Sequence, residues 1–262
     1  MSRVAGLDIG SAATKCAVLE DGRVVATVVL PSMPDMRLAA ESALRECGAQ
    51  GIPVLTTGYG RTLWEPRLAQ VSEITALAAG VGHLAPHAAT VVDIGGQDSK
   101  VVRVESGRVL DFAMNDRCAA GTGRFLEVMS RVLRVPFDRF DEVATDDVVP
   151  LPVTSTCTVF AESEVVGLLS SRHPPDRILK GVLAAVCSRV ASLGRQVGLK
   201  APVVATGGTV QSQAVVRALA TALGTEVTVP PSPQLVTAIG AALLCARRVQ
   251  SGGPAGPSPG LA

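Results

Sequence analysis

One pattern of apolar runs and Gly-rich turns occurs twice along the chain. Residues 8–25 read DIGSAATKCAVLEDGRVV and residues 93–110 read DIGGQDSKVVRVESGRVL. The two segments align without a gap at an offset of 85, and eight of their 18 positions are identical. Each copy reads as strand, Gly-rich turn, strand, turn and strand, and the dipeptides Asp21-Gly22 and Ser106-Gly107 favour tight hairpin turns. The repeat therefore predicts a duplicated architecture.

Segments with helical or strand spacing follow each copy. After the first copy we predict a helix near 36–48, a strand at 52–57 and a helix at 65–84. After the second copy we predict helices near 121–134, 159–171, 176–197, about Val210 onward and 234–248, with strands at 203–205 and 226–229. Two hairpin-plus-helix halves predict an α/β fold with a cleft between subdomains 1–85 and 86–250. The Gly- and Pro-rich residues 251–262 are predicted to be a disordered tail.

Composition narrows the functional classes. The chain has 262 residues, 47% of them hydrophobic, and a formal net charge of +1. A nearly neutral chain argues against electrostatic capture of nucleic acid or of an anionic membrane. No apolar run reaches the roughly 18 residues that span a bilayer, and the N-terminus enters a strand pattern without a signal-peptide core. These features predict a cytoplasmic protein with neither a nucleic-acid nor a membrane partner.

The repeated loop has the chemistry of a phosphate site. Gly10, Gly95 and Gly96 allow the backbone to approach a phosphate closely, and the hydroxyls of Ser11, Thr14 and Ser99 add hydrogen-bond donors. For a single copy, a simple tight turn would explain the motif equally well, because short glycine motifs are weak evidence. Two copies in register favour phosphate binding.

Two carboxylates, Asp8 and Asp93, end the first strand of each copy. Carboxylates that face a triphosphate repel it unless a hard cation lies between them. Mg²⁺, which usually keeps several of its waters, is the natural mediator. We therefore expect both side chains to hold Mg²⁺ through water.

A third glycine motif, Thr206-Gly207-Gly208-Thr209, ends a predicted strand and opens a helix. Such a turn allows a nucleoside to lie against the backbone. An ordinary strand-to-helix connection is the equally plausible alternative for this motif alone.

Two cysteines, Cys118 and Cys157, lie just before predicted helices. A helix N-terminus lowers the pKa of a thiol and stabilises an anionic iron–sulfur cluster. Two cysteines are too few for a four-cysteine cluster, but a twofold dimer would double them. The alternative is that both are small buried hydrophobic residues, as expected for the remaining four cysteines, Cys16, Cys47, Cys187 and Cys245.

The order of Gly-Leu-Asp-Ile-Gly, Val-Asp-Ile-Gly-Gly and Ala-Thr-Gly-Gly resembles the actin, sugar-kinase and heat-shock-chaperone ATPase superfamily. The resemblance implies a duplicated actin-like (ribonuclease H-like) fold that binds ATP. It implies nucleotide contacts from Gly10, Ser11, Ala12, Thr14, Lys15, Gly95, Gly96, Gln97, Gly207 and Gly208. It also places Glu73, at the start of a connecting helix, near the metal or the attacking water, alongside Asp8 and Asp93 as catalytic residues. A solvated carboxylate at a helix N-terminus is the alternative for Glu73.

The sequence motifs around the two cysteines resemble a narrower group within this superfamily. Asn115-Asp-Arg-Cys-Ala-Ala-Gly-Thr-Gly-Arg-Phe-Leu-Glu127 and Cys157-Thr-Val-Phe-Ala-Glu-Ser-Glu-Val165 resemble the activators of 2-hydroxyacyl-CoA dehydratases and the ATP-hydrolysing subunits of benzoyl-CoA reductase. The resemblance covers residues 4–246, although the connecting helix has Thr75-Ala-Leu-Ala where relatives often have Cys-His.

This resemblance implies a homodimer in which Cys118 and Cys157 of each chain bind one shared 4Fe-4S cluster. It implies that ATP hydrolysis drives electron transfer from a ferredoxin or flavodoxin to a partner dehydratase. Three alternatives stay open: a benzoyl-CoA-type reductase subunit, a small-molecule kinase with Asp98 or Asp116 as base, and a non-enzymatic nucleotide switch.

Overall fold

Two compact units make up the chain. The computed structural model describes residues 3–116, 118–154 and 157–251, so the predicted tail lies outside the described residues except for Ser251. One unit comprises Met1–His87, Val104–Leu110 and Gln234–Ala262, and the other comprises Ala88–Arg103 and Asp111–Pro233. The division into subdomains 1–85 and 86–250 stays a prediction, and the C-terminal helix packs with the first unit.

The first unit contains a five-stranded sheet. Its strands, in the spatial order β3-β2-β1-β4-β5, are β1 (Arg3–Ile9), β2 (Ala13–Glu20), β3 (Arg23–Pro31), β4 (Val54–Thr57) and β5 (Ala69–Gln70). The three hairpin strands are antiparallel, whereas β4 runs parallel to β1. Its helices are α1 (Met36–Glu46), α2 (Glu73–Leu84) and α8 (Val236–Gln250).

The second sheet repeats this topology. Its strands, in the order β10-β9-β6-β7-β8, are β6 (Thr90–Ile94), β7 (Ser99–Glu105), β8 (Arg108–Asn115), β9 (Val203–Thr206) and β10 (Val227–Thr228). Strand β6 is antiparallel to β7 and parallel to β9, as β1 is to β2 and β4. The helices are α3 (Gly123–Leu133), α4 (Phe140–Val143), α5 (Thr158–Ser170), α6 (Pro175–Val197) and α7 (Gln213–Leu223). Short 3₁₀ turns occupy Phe137–Arg139, Thr209–Gln211 and Pro233–Leu235.

The outer turns of the two hairpins have the same backbone. Asp21 and Gly22 have φ values of 48° and 82°, and Ser106 and Gly107 have values of 50° and 73°. Two consecutive residues with positive φ are the mark of a type I′ turn, which matches the twist of the flanking strands. The predicted pair of hairpins is therefore confirmed, and both have a type I′ turn.

Glycine allows the helices of the first unit to pack closely. A methyl group on Gly240 of α8 would overlap the carbonyl oxygen of Ala76 in α2, and one on Gly6 of β1 would overlap that of Ala238 in α8. Around these contacts α8 buries Ala241, Ala242 and Cys245 in one core with β1 and β4. The C-terminal helix is thus a structural part of the first unit.

The helices of the second unit build a core of their own. Phe125, Met129, Phe140, Ala161 and Ile178 are buried together, and they come from α3, α4, α5 and α6. This core fixes the start of α3 and the start of α5, where the two candidate cysteines lie. None of the helices within the described residues combines the length and apolar character needed to cross a membrane.

The predicted helix at 65–84 is wrong over its first half. The segment forms the short strand β5 beside β4, and helix α2 begins only at Glu73. Pro66 cannot continue a helix from the preceding turn. Ser72 has an extended backbone and accepts a hydrogen bond from the Thr75 N–H, which makes it the N-cap.

Candidate functional site

The first repeat loop holds a buried carboxylate against a lysine. Asp8, only 5% exposed, ends β1 opposite Lys15 of β2, and Lys15 Nζ lies 3.0 Å from Asp8 Oδ2. A methyl group on Gly10 would lie 2.7 Å from the Ala13 carbonyl oxygen, so only glycine fits this turn. The Ser32 hydroxyl donates a hydrogen bond to the Gly10 carbonyl at 2.5 Å and is also hydrogen-bonded to the Thr14 hydroxyl. These bonds hold the loop in place.

The second repeat loop has the same charge arrangement with an added partner. Asp93, 9% exposed, lies opposite Lys100, whose Nζ is 3.6 Å from Asp93 Oδ2 and 2.7 Å from Asp98 Oδ2. The hydroxyl of Thr206 donates to Asp93 Oδ1 at 2.7 Å. Asp98, one of the two candidate bases for a kinase, is therefore already engaged by Lys100, whereas Asp116 is exposed.

Each repeat loop offers one aspartate whose oxygens suit a cation held through water. Their oxygens are hard donors that suit Mg²⁺, and each carboxylate is buried beside a glycine loop. The described residues contain no group of three or more His, Cys, Asp or Glu side chains that would enclose an ion directly. Hard oxygen donors of this kind fit a hydrated Mg²⁺.

The second loop also anchors helix α3. The Gly95 and Gly96 carbonyls accept hydrogen bonds from the N–H groups of Gly123 (2.8 Å) and Arg124 (2.7 Å), the first two residues of α3. The Gly95 N–H itself donates to the Asp98 carbonyl at 2.9 Å. Gln97, at the tip of the loop, is exposed. Two backbone hydrogen bonds therefore join the glycine loop to the start of α3.

The third motif crosses the end of β6. Gly207 has φ 97°, and a methyl group there would overlap the Ile94 carbonyl oxygen. Thr209 donates its hydroxyl to that same carbonyl at 3.1 Å. Gly208 is exposed and has open space around its Cα, which suits close approach of a flat ligand.

Cys118 lies in an exposed loop that Asn115 organises. The Asn115 side-chain amide donates to the carbonyls of Cys118 (2.8 Å) and Ala120 (2.9 Å), and it accepts from the Cys118 N–H at 3.2 Å. The next residue, Gly121, accepts a hydrogen bond of 2.5 Å from the Ser99 hydroxyl. Because Ser99 begins β7, the cysteine loop is bonded to the second repeat hairpin.

Cys157 is the N-cap of α5, with φ −101° and ψ 138°, and is partly exposed. Its carbonyl accepts a hydrogen bond from the Ala161 N–H. The first N–H groups of any helix point toward its N-terminal end, where this cap lies. This position suits an anionic ligand. Cys118, in contrast, lies four residues before the Thr122 N-cap of α3 rather than at the cap itself.

The remaining four cysteines are buried, as predicted. Burial raises the pKa of Cys187 and of Cys245 to about 12. Hydrogen bonding between Cys16 and Cys47 raises the pKa of Cys16 and lowers that of Cys47. Cys118 is the one fully exposed cysteine and Cys157 the one partly exposed cysteine among the described residues.

Comparison with known proteins decides the family. The family model described as the BadF/BadG/BcrA/BcrD ATPase family matches residues 5–245. The chain belongs to this ATPase family. The α/β fold is the actin-like fold of its relatives, which confirms the predicted fold class.

Curated and solved relatives of this ATPase cover almost its whole length. It is 44% identical over 249 residues to the activator of lactoyl-CoA dehydratase of Anaerotignum propionicum, covering 91% of this chain and 95% of that protein. It is 38% identical to the activator of 2-hydroxyisocaproyl-CoA dehydratase of Clostridium difficile with bound ADPNP, with a TM-score of 0.88 and coverage of 95% and 96%. Component A of the Acidaminococcus fermentans (R)-2-hydroxyglutaryl-CoA dehydratase gives 38% identity, a TM-score of 0.90 and coverage of 95% and 100%.

The sequence of this ATPase did not reveal that two threonines lie beside the two aspartates. Thr206 bonds directly to Asp93, and Thr57 is paired with Asp8 in the parallel register of the first sheet. Both precede a glycine with positive φ, Gly58 or Gly207. The Thr-Gly dipeptide at the end of each parallel strand was the available signal. Glu73, the first residue of α2, is half-buried beside its Ser72 cap.

Proposed function

We propose that this protein is an ATP-dependent activator that transfers a low-potential electron to a 2-hydroxyacyl-CoA dehydratase. The Asp-Ile-Gly loops, with Lys15, Gln97 and the Thr206–Thr209 turn, bind Mg-ATP. Asp8 and Asp93 hold the hydrated Mg²⁺, and Glu73 orients the attacking water. The similarity to dehydratase activators over 91% of the chain supports the partner class, and the ADPNP-bound relative supports the nucleotide.

Cys118 and Cys157 are the proposed ligands of a 4Fe-4S cluster shared by a homodimer. Such a cluster, when bound, supplies a single electron at low potential. Four thiolates are needed, and each chain offers two exposed or partly exposed cysteines among its described residues. A second copy related by a twofold axis supplies the other two. The N-terminus of α5, at Cys157, suits the negative charge of such a cluster.

One observation carries the coupling of nucleotide to cluster. The loop of the second repeat hairpin is bonded to the residues that follow Cys118: Ser99 donates to Gly121, and the Gly95 and Gly96 carbonyls hold the start of α3. A shift of this hairpin on phosphate binding therefore displaces the loop that presents Cys118. The direct path supports an ATP-gated change at the cysteines, with a ferredoxin or flavodoxin as electron donor in the cytoplasm.

The test replaces one ligand and counts iron. After anaerobic reconstitution, we expect wild-type protein to show visible absorption and about four iron atoms per dimer. Cys118→Ser should lose the absorption and the transfer of electrons to the dehydratase, and should keep its affinity for Mg-ATP. Cys187→Ser, which changes a buried thiol of the same unit, is the matched control and should keep the iron. Full iron in Cys118→Ser, or phosphorylation of a sugar by iron-free wild type, would overturn the proposal.

A further inference from the structure

The Thr57 hydroxyl is buried without a hydrogen-bond partner. Thr57 is fully buried, and its Oγ1 is one of two buried side-chain polar atoms that lack a partner among the described residues. An unpaired buried hydroxyl costs folding free energy, so it points to a partner in another state of the molecule.

The second sheet shows what that partner is. Thr57 and Asp8 are register partners of parallel strands, as are Thr206 and Asp93. Thr206 already donates to Asp93 at 2.7 Å. The glycines that follow the two threonines have φ values of 93° and 97°. The two positions are therefore equivalent by the internal symmetry of the fold, yet only Thr206 makes its bond to the carboxylate.

The lysines beside the two aspartates are placed differently. Lys15 Nζ lies 3.0 Å from Asp8 Oδ2, whereas Lys100 is drawn toward Asp98 at 2.7 Å and is 3.6 Å from Asp93. The other oxygen, Asp8 Oδ1, lies against the Thr57–Gly58 segment, since a methyl group on Gly58 would be 2.6 Å from it. Asp8 thus has Lys15 on one oxygen and the Thr57 strand end beside the other.

The second unpaired atom, Gln70 Oε1, belongs to a different environment. Gln70 is the register partner of Thr56, and Thr56 points to the face of the sheet opposite to Thr57. The Thr56 hydroxyl donates to the Arg61 carbonyl at 2.8 Å and is satisfied. Gln70 therefore does not share the Asp8 face.

We propose that Thr57 is a positioning residue that donates its hydroxyl to the Asp8 carboxylate when Mg-ATP is bound. The inference rests on the proposed roles of Lys15 and Asp8. A phosphate attracts the Lys15 ammonium, and the buried Asp8 carboxylate then needs another donor. Thr57 would supply it and would orient the Asp8 side chain that is proposed to hold the hydrated metal.

The test separates stability from ligand binding. Thr57→Val removes an unpaired hydroxyl, so the melting temperature of the nucleotide-free protein should be unchanged or higher. Calorimetric titration with ADPNP and Mg²⁺ should show about tenfold weaker binding, because a hydrogen bond to a charged group is lost. Titration with ADPNP and EDTA should change much less. Thr57→Ser, which keeps the hydroxyl, should bind as wild type does.

Thr206→Val is the matched control in the other sheet. It removes a hydrogen bond that the nucleotide-free protein already makes, so it should lower the melting temperature of the nucleotide-free protein. The inference is overturned if Thr57→Val binds Mg-ADPNP as tightly as wild type, or if it lowers the nucleotide-free melting temperature as Thr206→Val does. Absence of Mg-ADPNP binding by wild type would instead refute the nucleotide part of the proposed function.

Discussion

At the scale of the residue, Gly207 provides a sharp test of the third glycine motif. Gly207 has φ 97° and lies against the Ile94 carbonyl oxygen, whereas its neighbour Gly208 is helical, with φ −69°, and has open space around it. We expect Gly207→Ala to lower the free energy of unfolding by about 2 kcal/mol or more, because an L side chain is strained there and meets backbone. Gly208→Ala should stay within about 0.5 kcal/mol of wild type. Urea denaturation of the two variants checks this, and equal effects would contradict it.

The sequence located the charged residues of the site but not their neutral partners. The gapless repeat contains Asp8 and Lys15 in its first copy and Asp93 and Lys100 in its second. The structure pairs each aspartate with its lysine. Thr57 and Thr206 were not recognised as partners of the aspartates because they follow them in the chain by 49 and 113 residues. Their equivalence appears only once β4 and β9 are placed beside β1 and β6.

At the scale of the element, Asp141 secures the start of α7 from another segment of the second unit. Asp141 Oδ1 accepts hydrogen bonds from the Ala214 N–H at 2.8 Å and from the hydroxyl of Ser212, the N-cap, at 2.7 Å. Burial alone would raise the pKa of Asp141, but these donors, with the Gln213 N–H and Arg217, lower it below its usual value. The carboxylate thus stabilises the fold in its ionised form.

Asp141→Asn should therefore destabilise the protein by about 1 kcal/mol near neutral pH, because hydrogen bonds to a charged acceptor are replaced by weaker bonds to a neutral one. A depressed pKa in the folded state gives a contribution that is present above the ordinary pKa of an aspartate, about 4, and is lost as the pH falls through the folded value. The difference between wild type and variant should consequently shrink below about pH 4. Unfolding curves across this range measure it, and a pH-independent difference would contradict the charge-based explanation.

Elements with clear periodicity or turn chemistry were predictable, and short elements were not. Both hairpins, with their I′ turns, and the long helix α6 follow from local sequence. Strand β5, two residues long, exists only because β4 lies beside it. Helix α4 is a single turn whose Phe140 is fully buried in the second core, so tertiary packing rather than propensity places it.

At the scale of the whole molecule, the duplication was visible in the sequence, but the composition of the first unit was not. The repeat predicts two sheets of equal topology, and both sheets have the same strand order. It gives no sign that α8, at the far end of the chain, belongs with β1 and β4. That assignment depends on Gly6, which packs against Ala238, and on Gly240, which packs against Ala76, although the paired positions lie 232 and 164 residues apart in the chain.

This arrangement predicts that a chain ending at Pro233 loses its first unit. Removal of α8 exposes the core that Ala241, Ala242 and Cys245 share with Val4 and Leu55. Because the stability of a small domain is commonly only about 5–15 kcal/mol, we expect the loss of these apolar contacts to unfold the first unit. Amide hydrogen exchange should show β1, β4 and α2 unprotected in this chain. A chain ending at Ser251 lacks only residues 252–262, the segment predicted to be disordered, and should keep wild-type protection. Protection of β1 in the shorter chain would show that the first unit folds without α8, and would restore a simple boundary near residue 85 as the division of the molecule.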